Sequence, residues 1–231
     1  MRPLTLWRYE ARRAGWAALL GPPLAVALGV VAAWANPLPG ETTTARILLG
    51  ALEMAIPLAA GVACGSLTGR DPAVEIQLTA ATSYRATLLR RMAVTLAWTA
   101  VIAVLTAAVL IATGWWARWP ENHGPVAGQL TWLAPTLGLS GLGFAAGAVF
   151  RSPAAAGALV TTVWALQQFF GDAAQQNVAG RLLYLFATTR GAVPGDWAAN
   201  RLTLLAVAAG FVALALVVLG HSERLIGEED E

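Results

Sequence analysis

Long apolar stretches alternate with short polar ones along the whole chain. The apolar runs cover about residues 15–35, 45–69, 92–114, 130–150, 154–171 and 202–220. A helix needs ~20 residues to cross the ~30 Å hydrocarbon core of a bilayer. The pattern therefore predicts an all-α polytopic membrane protein, a single transmembrane domain of six spanning helices over residues 1–231. Trp16 and Trp34 mark the two interfaces of the first span. Pro22 and Pro23 lie inside it and should kink it or free backbone carbonyls. The fourth and fifth spans are separated only by Arg151, Ser152 and Pro153, which requires a tight antiparallel hairpin. Residues 172–200 mix charge with an apolar LLYLFA and read as a short re-entrant or surface helix.

Two polar stretches have helical patterns of their own. Before the first span, Leu4, Trp7, Ala11 and Ala14 share one face and Arg8 and Arg12 the other. This suits a helix lying in the headgroup region, with Trp7 facing the lipid and Arg8 and Arg12 facing phosphates. Between the second and third spans lies RDPAVEIQLTAATSYRATLLRR, residues 70–91. Asp71 can cap a helix there and Pro72 suits its first turn. Ile76 and Ala80 then face one way, Glu75 and Thr79 another.

Composition supports a membrane protein and removes several function classes. The chain is 57% hydrophobic and 12% charged, with a mean hydropathy of +0.61. All 15 basic residues are Arg. A Walker A loop needs its Lys for the phosphates, so this chain carries no standard P-loop. A net charge of +2 does not imply nucleic acid. The single cysteine, Cys64, excludes an internal disulfide and a thiolate metal cluster, and no metal site is expected. Of the 15 Arg, five (Arg46, Arg118, Arg181, Arg190 and Arg201) fall on one set of loops and ten on the other. The excess puts both termini and residues 70–91 in the cytoplasm of a multi-pass plasma-membrane protein. Abundant Arg, Ala and Trp without Lys suggests a GC-rich bacterial genome.

Inside the spans, Glu53 is the one acidic residue at depth. A carboxylate there costs about 2.5–3.5 kcal/mol on insertion scales, so it faces protein or water. It is read either as a polar lining of a substrate route or as an outer-third residue reaching up to water. Arg46 is two turns away on the same face, long for direct pairing. Gln167 and Gln168, ending the fifth span, can line a pathway or bridge helices. Gly61–Gly65 and Gly143–Gly147 are GxxxG patterns that form packing seams or arise by chance in so Gly-rich a chain. Gly138-Leu-Ser140-Gly141 matches the GxSG of intramembrane serine proteases, but Ser140 would need a His within reach. His123 lies in a loop and His221 at the end of the last span, so no catalytic residue is assigned. The acidic tail, Glu228 to Glu231, reads as solvating chain.

Several of these features occur together in one family. An Arg-rich interfacial helix leads into six spans. The first cytoplasmic loop carries Asp71 and Glu75, then Ser83-Tyr84-Arg85 before the next span. Phe150-Arg151-Ser152 joins the fourth and fifth spans, and Glu223-Arg224-Leu225 follows the last. The chain thereby resembles the membrane-spanning subunits of ABC-2-type exporters. The resemblance implies a permease that pairs with a second permease subunit, identical or a sister chain, and with two copies of a cytoplasmic ATPase. ATP and Mg would sit on that ATPase, and this chain would bind no cofactor itself. The helix between the second and third spans would be the coupling helix, docked on the ATPase.

On this reading residues 71–85 touch the ATPase. Asp71 opens the helix, Glu75 and Arg85 make polar contacts, and Ile76 and Leu78 offer small apolar knobs. The alternative from the residues alone is a solvated amphipathic loop in an ATP-independent channel or membrane scaffold.

Overall fold

The computed structural model describes residues 15–37, 40–68, 84–191 and 194–220. The interfacial helix (Trp7, Arg8, Arg12), the coupling-helix residues Asp71, Glu75, Ile76 and Leu78, and the acidic tail lie outside the described residues. What is described is helical, with no strand. The helices are α1 (Gly15–Ala35), α2 (Glu41–Ser66), α3 (Tyr84–Ala112), α4 (Leu130–Phe150), α5 (Pro153–Phe169), α6 (Gly171–Gln175), α7 (Val178–Leu183) and α8 (Trp197–Val218).

Five of these, α1, α2, α3, α4 and α8, are long and apolar enough to cross a membrane. The expected fifth span, 154–171, is instead the 17-residue α5, which ends at Phe169. At 1.5 Å per residue it is about 26 Å long, short of the hydrocarbon thickness. The expected last span, 202–220, begins earlier, at Trp197, which brings Arg201 from a loop into a helix. Glu41 likewise opens α2 ahead of the expected boundary at residue 45. The stretch 172–200 holds two short helices rather than one, followed by a turn at 185–190 whose residues sink among the long helices.

α4 lies at the centre, buried along most of its length and packed between α2 and α8. Its contact with α2 is made by the two glycine patterns, which face each other within one chain. A Cβ at Gly143 would overlap the Gly61 carbonyl, and one at Gly147 would come 2.6 Å from the Gly65 carbonyl. Only a hydrogen fits there, so the two backbones meet directly. The hairpin to α5 forms as expected. Arg151 turns left-handed (φ 50°) and its N–H closes on the Gly147 carbonyl at 2.9 Å. Ser152 then caps α5 by accepting from the Ala155 N–H at 3.3 Å, with Pro153 in the first turn.

The outer faces of α1 and α3 are apolar and exposed. Leu20, Leu24, Leu28 and Val31 recur on α1, as do Val101, Leu105 and Val109 on α3, at the spacing of one helical face. Such faces suit lipid.

Candidate functional site: a buried ion pair under the 185–190 turn

The site begins with a local fault in α2. Pro57 has no N–H to offer the carbonyl of Glu53, four residues back, and its ring crowds that carbonyl. The preceding turn, Ala51–Ala55, widens to a π-helix, in which the Ile56 N–H reaches back five residues to Ala51. Gly29 of α1 lies against the Ala51 methyl, so α1 closes tightly on the widened turn. The Met54 carbonyl accepts the indole N–H of Trp164 from α5 at 3.0 Å. The widened turn carries Glu53 toward the interior, among α4, α8 and the 185–190 turn.

Glu53 is 0% exposed and does not reach water. Its carboxylate is saturated by protein donors. Oε1 accepts the Thr188 N–H at 2.8 Å and a short bond from Arg201 Nη2. Oε2 accepts the Thr189 N–H at 2.7 Å and the Thr189 hydroxyl at 2.6 Å. Arg201, near the start of α8, is also 0% exposed. Its Nη1 donates to the Leu185 carbonyl at 3.1 Å, and its Nη2 also reaches Thr188 Oγ1 at 2.8 Å. Arg201, rather than Arg46, is therefore the counter-ion of Glu53.

Thr188 sits at the centre of the cluster, and its proton can be assigned. Its hydroxyl oxygen accepts from Arg201 and, at 3.0 Å, from the Trp197 indole. Its own hydrogen is then directed at Thr131 Oγ1 on α4, 3.2 Å away. The Thr188 carbonyl takes the Trp119 indole N–H at 3.0 Å. Four elements thus meet on one threonine. His123, with a left-handed φ of 54°, stacks on the Trp197 ring at 3.8 Å between centroids. Its pKa lies below the ordinary 6.5, first because the stacked ring is partly desolvated and next because Arg201 repels a second cation.

The neighbouring chain is held by side-chain amides. The Asn200 amide N–H₂ faces the carbonyls of Arg181 and Tyr184 at 2.8 Å and of Leu182 at 3.1 Å. Gln167 bridges α5 to the same segment. Its Oε1 accepts the Leu185 N–H at 2.7 Å and its Nε2 donates to the Leu183 carbonyl at 3.3 Å. Gln168 contributes its backbone carbonyl, which takes Arg190 Nη1 at 3.1 Å. Arg181 pairs with Asp196 at 2.7 Å.

The sequence-derived candidates are thus dispersed. Glu53 and Gln167 both hold the 183–189 segment. Arg85 stands at the opposite end of the bundle, in the first turn of α3, with its guanidinium over the Cα of Gly220 just beyond α8. Ser140 is buried beside the Cys64 thiol, far along α4 from Thr131, while His123 is stacked on Trp197. No group of three metal-ligating side chains occurs among the described residues. Sequence reasoning missed Arg201, Thr188, Thr189 and Trp197. The available signal was an acidic residue at membrane depth with no partner on its own helix.

The cluster is a neutral, closed polar site. Each ion would lose several kcal/mol of hydration on burial, offset here by the opposite charge and by fixed dipoles. No protein-family model, curated protein or solved structure matches the chain.

Proposed function

We propose that the chain is the transmembrane permease subunit of an ATP-binding-cassette exporter in the plasma membrane. The observation that carries a transport reading is the Glu53–Arg201 pair, a full charge pair enclosed among apolar helices. Ionisable side chains at such depth are costly and mark substrate or ion routes. The ATP-driven exporter follows from the family resemblance, and the lack of Lys in the chain agrees with an energy source on another polypeptide.

In this reading α5 is the fifth of six spans, thinning the bilayer locally to match its length. Both termini and residues 70–91 face the cytoplasm, and the Trp115–Trp119 loop and the 185–190 turn face outward. Two permease chains work with two ATPase subunits, which hold ATP and Mg. Residues 71–85 serve as the coupling helix that docks on the ATPase. A channel or scaffold without ATPase is the competing reading, and a closed, buried ion pair would serve it as a purely structural tie.

The deciding experiment is a pull-down from the native host, with cross-linking, of wild type and of Glu75→Ala/Arg85→Ala. Recovery of an ATP-binding-cassette ATPase with wild type, lost in the double variant, is the expected result. A well-folded preparation that captures no such ATPase overturns the exporter reading.

A further inference from the structure

Five arginines stand at the end of the bundle that carries the 185–190 turn: Arg46, Arg118, Arg181, Arg190 and Arg201. Three of them have a carboxylate. Arg118 pairs with Glu41 at 3.2 Å, Arg181 with Asp196 at 2.7 Å, and Arg201 with Glu53. Arg46 and Arg190 are exposed, and neither has a carboxylate partner among the described residues.

The fold brings these two to one place, over the end of α5. The Met54 carbonyl of α2 and the Trp164 indole of α5 tie the two helices together. From that tie, Arg46 lies eight residues, about 12 Å, toward the end of the bundle along α2, and Gln168 lies four residues, about 6 Å, along α5. The Gln168 carbonyl holds Arg190 Nη1 at 3.1 Å. The length of an arginine side chain covers the difference in height. Asp172, in the first turn of α6, is also exposed and has no basic partner among the described residues. Burial raises the pKa of the neighbouring Tyr184 phenol, and after it the charges of Arg190, Glu53, Asp172 and Arg46 all act on that ring. Arg46, Arg190 and Asp172 therefore share one electrostatic neighbourhood.

We propose that these three residues bind the headgroup of an aminophospholipid, with its phosphate on the two guanidiniums and its ammonium on the Asp172 carboxylate. The site goes beyond the exporter reading and does not depend on it, since it concerns only this chain and its bilayer.

Charge and shape both favour a lipid. A guanidinium matches the oxygens of a phosphate with paired N–H donors, and two of them facing one carboxylate match a headgroup that carries both signs. The apolar surface begins one residue from Gln168. Phe169 is 83% exposed and Leu166, one turn back on the same face of α5, is 50% exposed. A phosphate held at Arg190 lays its acyl chains along these two side chains, whereas a soluble phosphate ester would leave them uncovered. The length of α5 agrees. At about 26 Å it ends below the ordinary headgroup level, and a headgroup drawn down to it thins the bilayer at that point.

The test is native mass spectrometry of the full chain, delipidated in a nonionic detergent and titrated with phosphatidylethanolamine, phosphatidylglycerol or soluble phosphoethanolamine. Wild type is expected to take up one phosphatidylethanolamine in preference to the other two. Arg46→Ala and Arg190→Ala should each weaken that uptake by about fivefold, as losing one cation at a membrane surface does. Asp172→Asn should weaken phosphatidylethanolamine and leave phosphatidylglycerol unchanged. Arg118→Ala, which removes a paired arginine at the same end of the bundle, should change neither. Arg46 makes no hydrogen bond or ion pair among the described residues, so Arg46→Ala decides the matter even if Arg190→Ala melts lower. Wild-type affinity in Arg46→Ala overturns the proposal, as does an equal loss in Arg118→Ala, which would reveal only general surface charge. Equal wild-type affinity for the two lipids also overturns it, and so does phosphoethanolamine that binds as tightly as the lipid. Capture of an ATPase is read separately and leaves these affinities as they are.

Discussion

Trp98 of α3 donates its indole N–H to the Leu19 carbonyl of α1 at 2.9 Å. Leu19 is the residue four before Pro23, so its carbonyl has no helical N–H to accept. The tryptophan replaces the amide that the proline lacks, and it joins the first and third helices in doing so. In hydrocarbon no water can take that place.

Trp98→Phe is therefore expected to destabilise the bundle by about 1–3 kcal/mol, the cost of leaving an acceptor without a partner. Pro23→Ala restores a helical donor to Leu19. In the Pro23→Ala background the same Trp98→Phe change should cost less. A double-mutant cycle by unfolding in bicelles measures the difference. Equal costs in both backgrounds would show that the indole contributes packing alone.

The Glu53–Arg201 pair separates charge from hydrogen bonding. Arg201→Met leaves an unpaired buried carboxylate and should destabilise by about 3–5 kcal/mol. Glu53→Leu removes in addition the acceptors of the Thr188 and Thr189 amides. Each orphaned N–H costs about 1–3 kcal/mol, so Glu53→Leu should be worse than Glu53→Gln, which keeps a carbonyl oxygen for one of them. The ordering is read from melting temperatures of the purified variants. Equal melting temperatures for Gln and Leu would mean that the amides find other partners.

What could be read in the sequence was whatever is local. The first and fourth helices match their apolar runs end to end, because length and hydropathy set a span without help from neighbours. The hairpin between α4 and α5 was legible because only Arg151, Ser152 and Pro153 separate the two apolar runs. Glu53 stood out as a charge at depth. Arg201 did not, since a charge just ahead of an apolar run looks like a loop residue, and only tertiary packing draws the head of α8 inward. Thr188 and Thr189 were invisible for the same reason: a threonine in a polar stretch has no signature until a carboxylate from another helix, 135 residues away in sequence for Thr188, meets its amide. The GxxxG patterns were legible as close-approach faces, but their partner was not, because a small face fits any other small face.

That mutual fit gives a direct test. A methyl at Gly143 would overlap the Gly61 carbonyl, while one at Gly157 on α5 meets only Val62 Cγ1 at 3.8 Å, an ordinary contact. Gly143→Ala should destabilise by about 1–3 kcal/mol or more, as overpacking against backbone does. Gly157→Ala should be neutral or stabilising by up to about 1 kcal/mol, the intrinsic helix preference for Ala. Thermal unfolding of both variants in one detergent suffices. A Gly143→Ala protein as stable as wild type would mean that α2 and α4 can move apart freely.

His123 makes the outer cluster sensitive to pH. Partial burial against Trp197, reinforced by Arg201, lowers its pKa from 6.5, against weaker pulls from Glu121 and Glu53 in the other direction. The folded state therefore binds the proton less readily than the unfolded chain. Above about pH 6.5 both states hold a neutral ring, and the histidine adds no pH dependence. As the pH falls below that value the unfolded state takes up the proton first, so stability is lost until the lowered folded pKa is passed, and then levels off. His123→Phe keeps a ring to stack on Trp197 and removes the titration. The difference in melting temperature between wild type and His123→Phe should be constant above about pH 7 and should shift against wild type on going to about pH 5.5. A difference that stays flat across the whole range would mean that the ring titrates as it does in solvent, with no preference of the folded state for its neutral form.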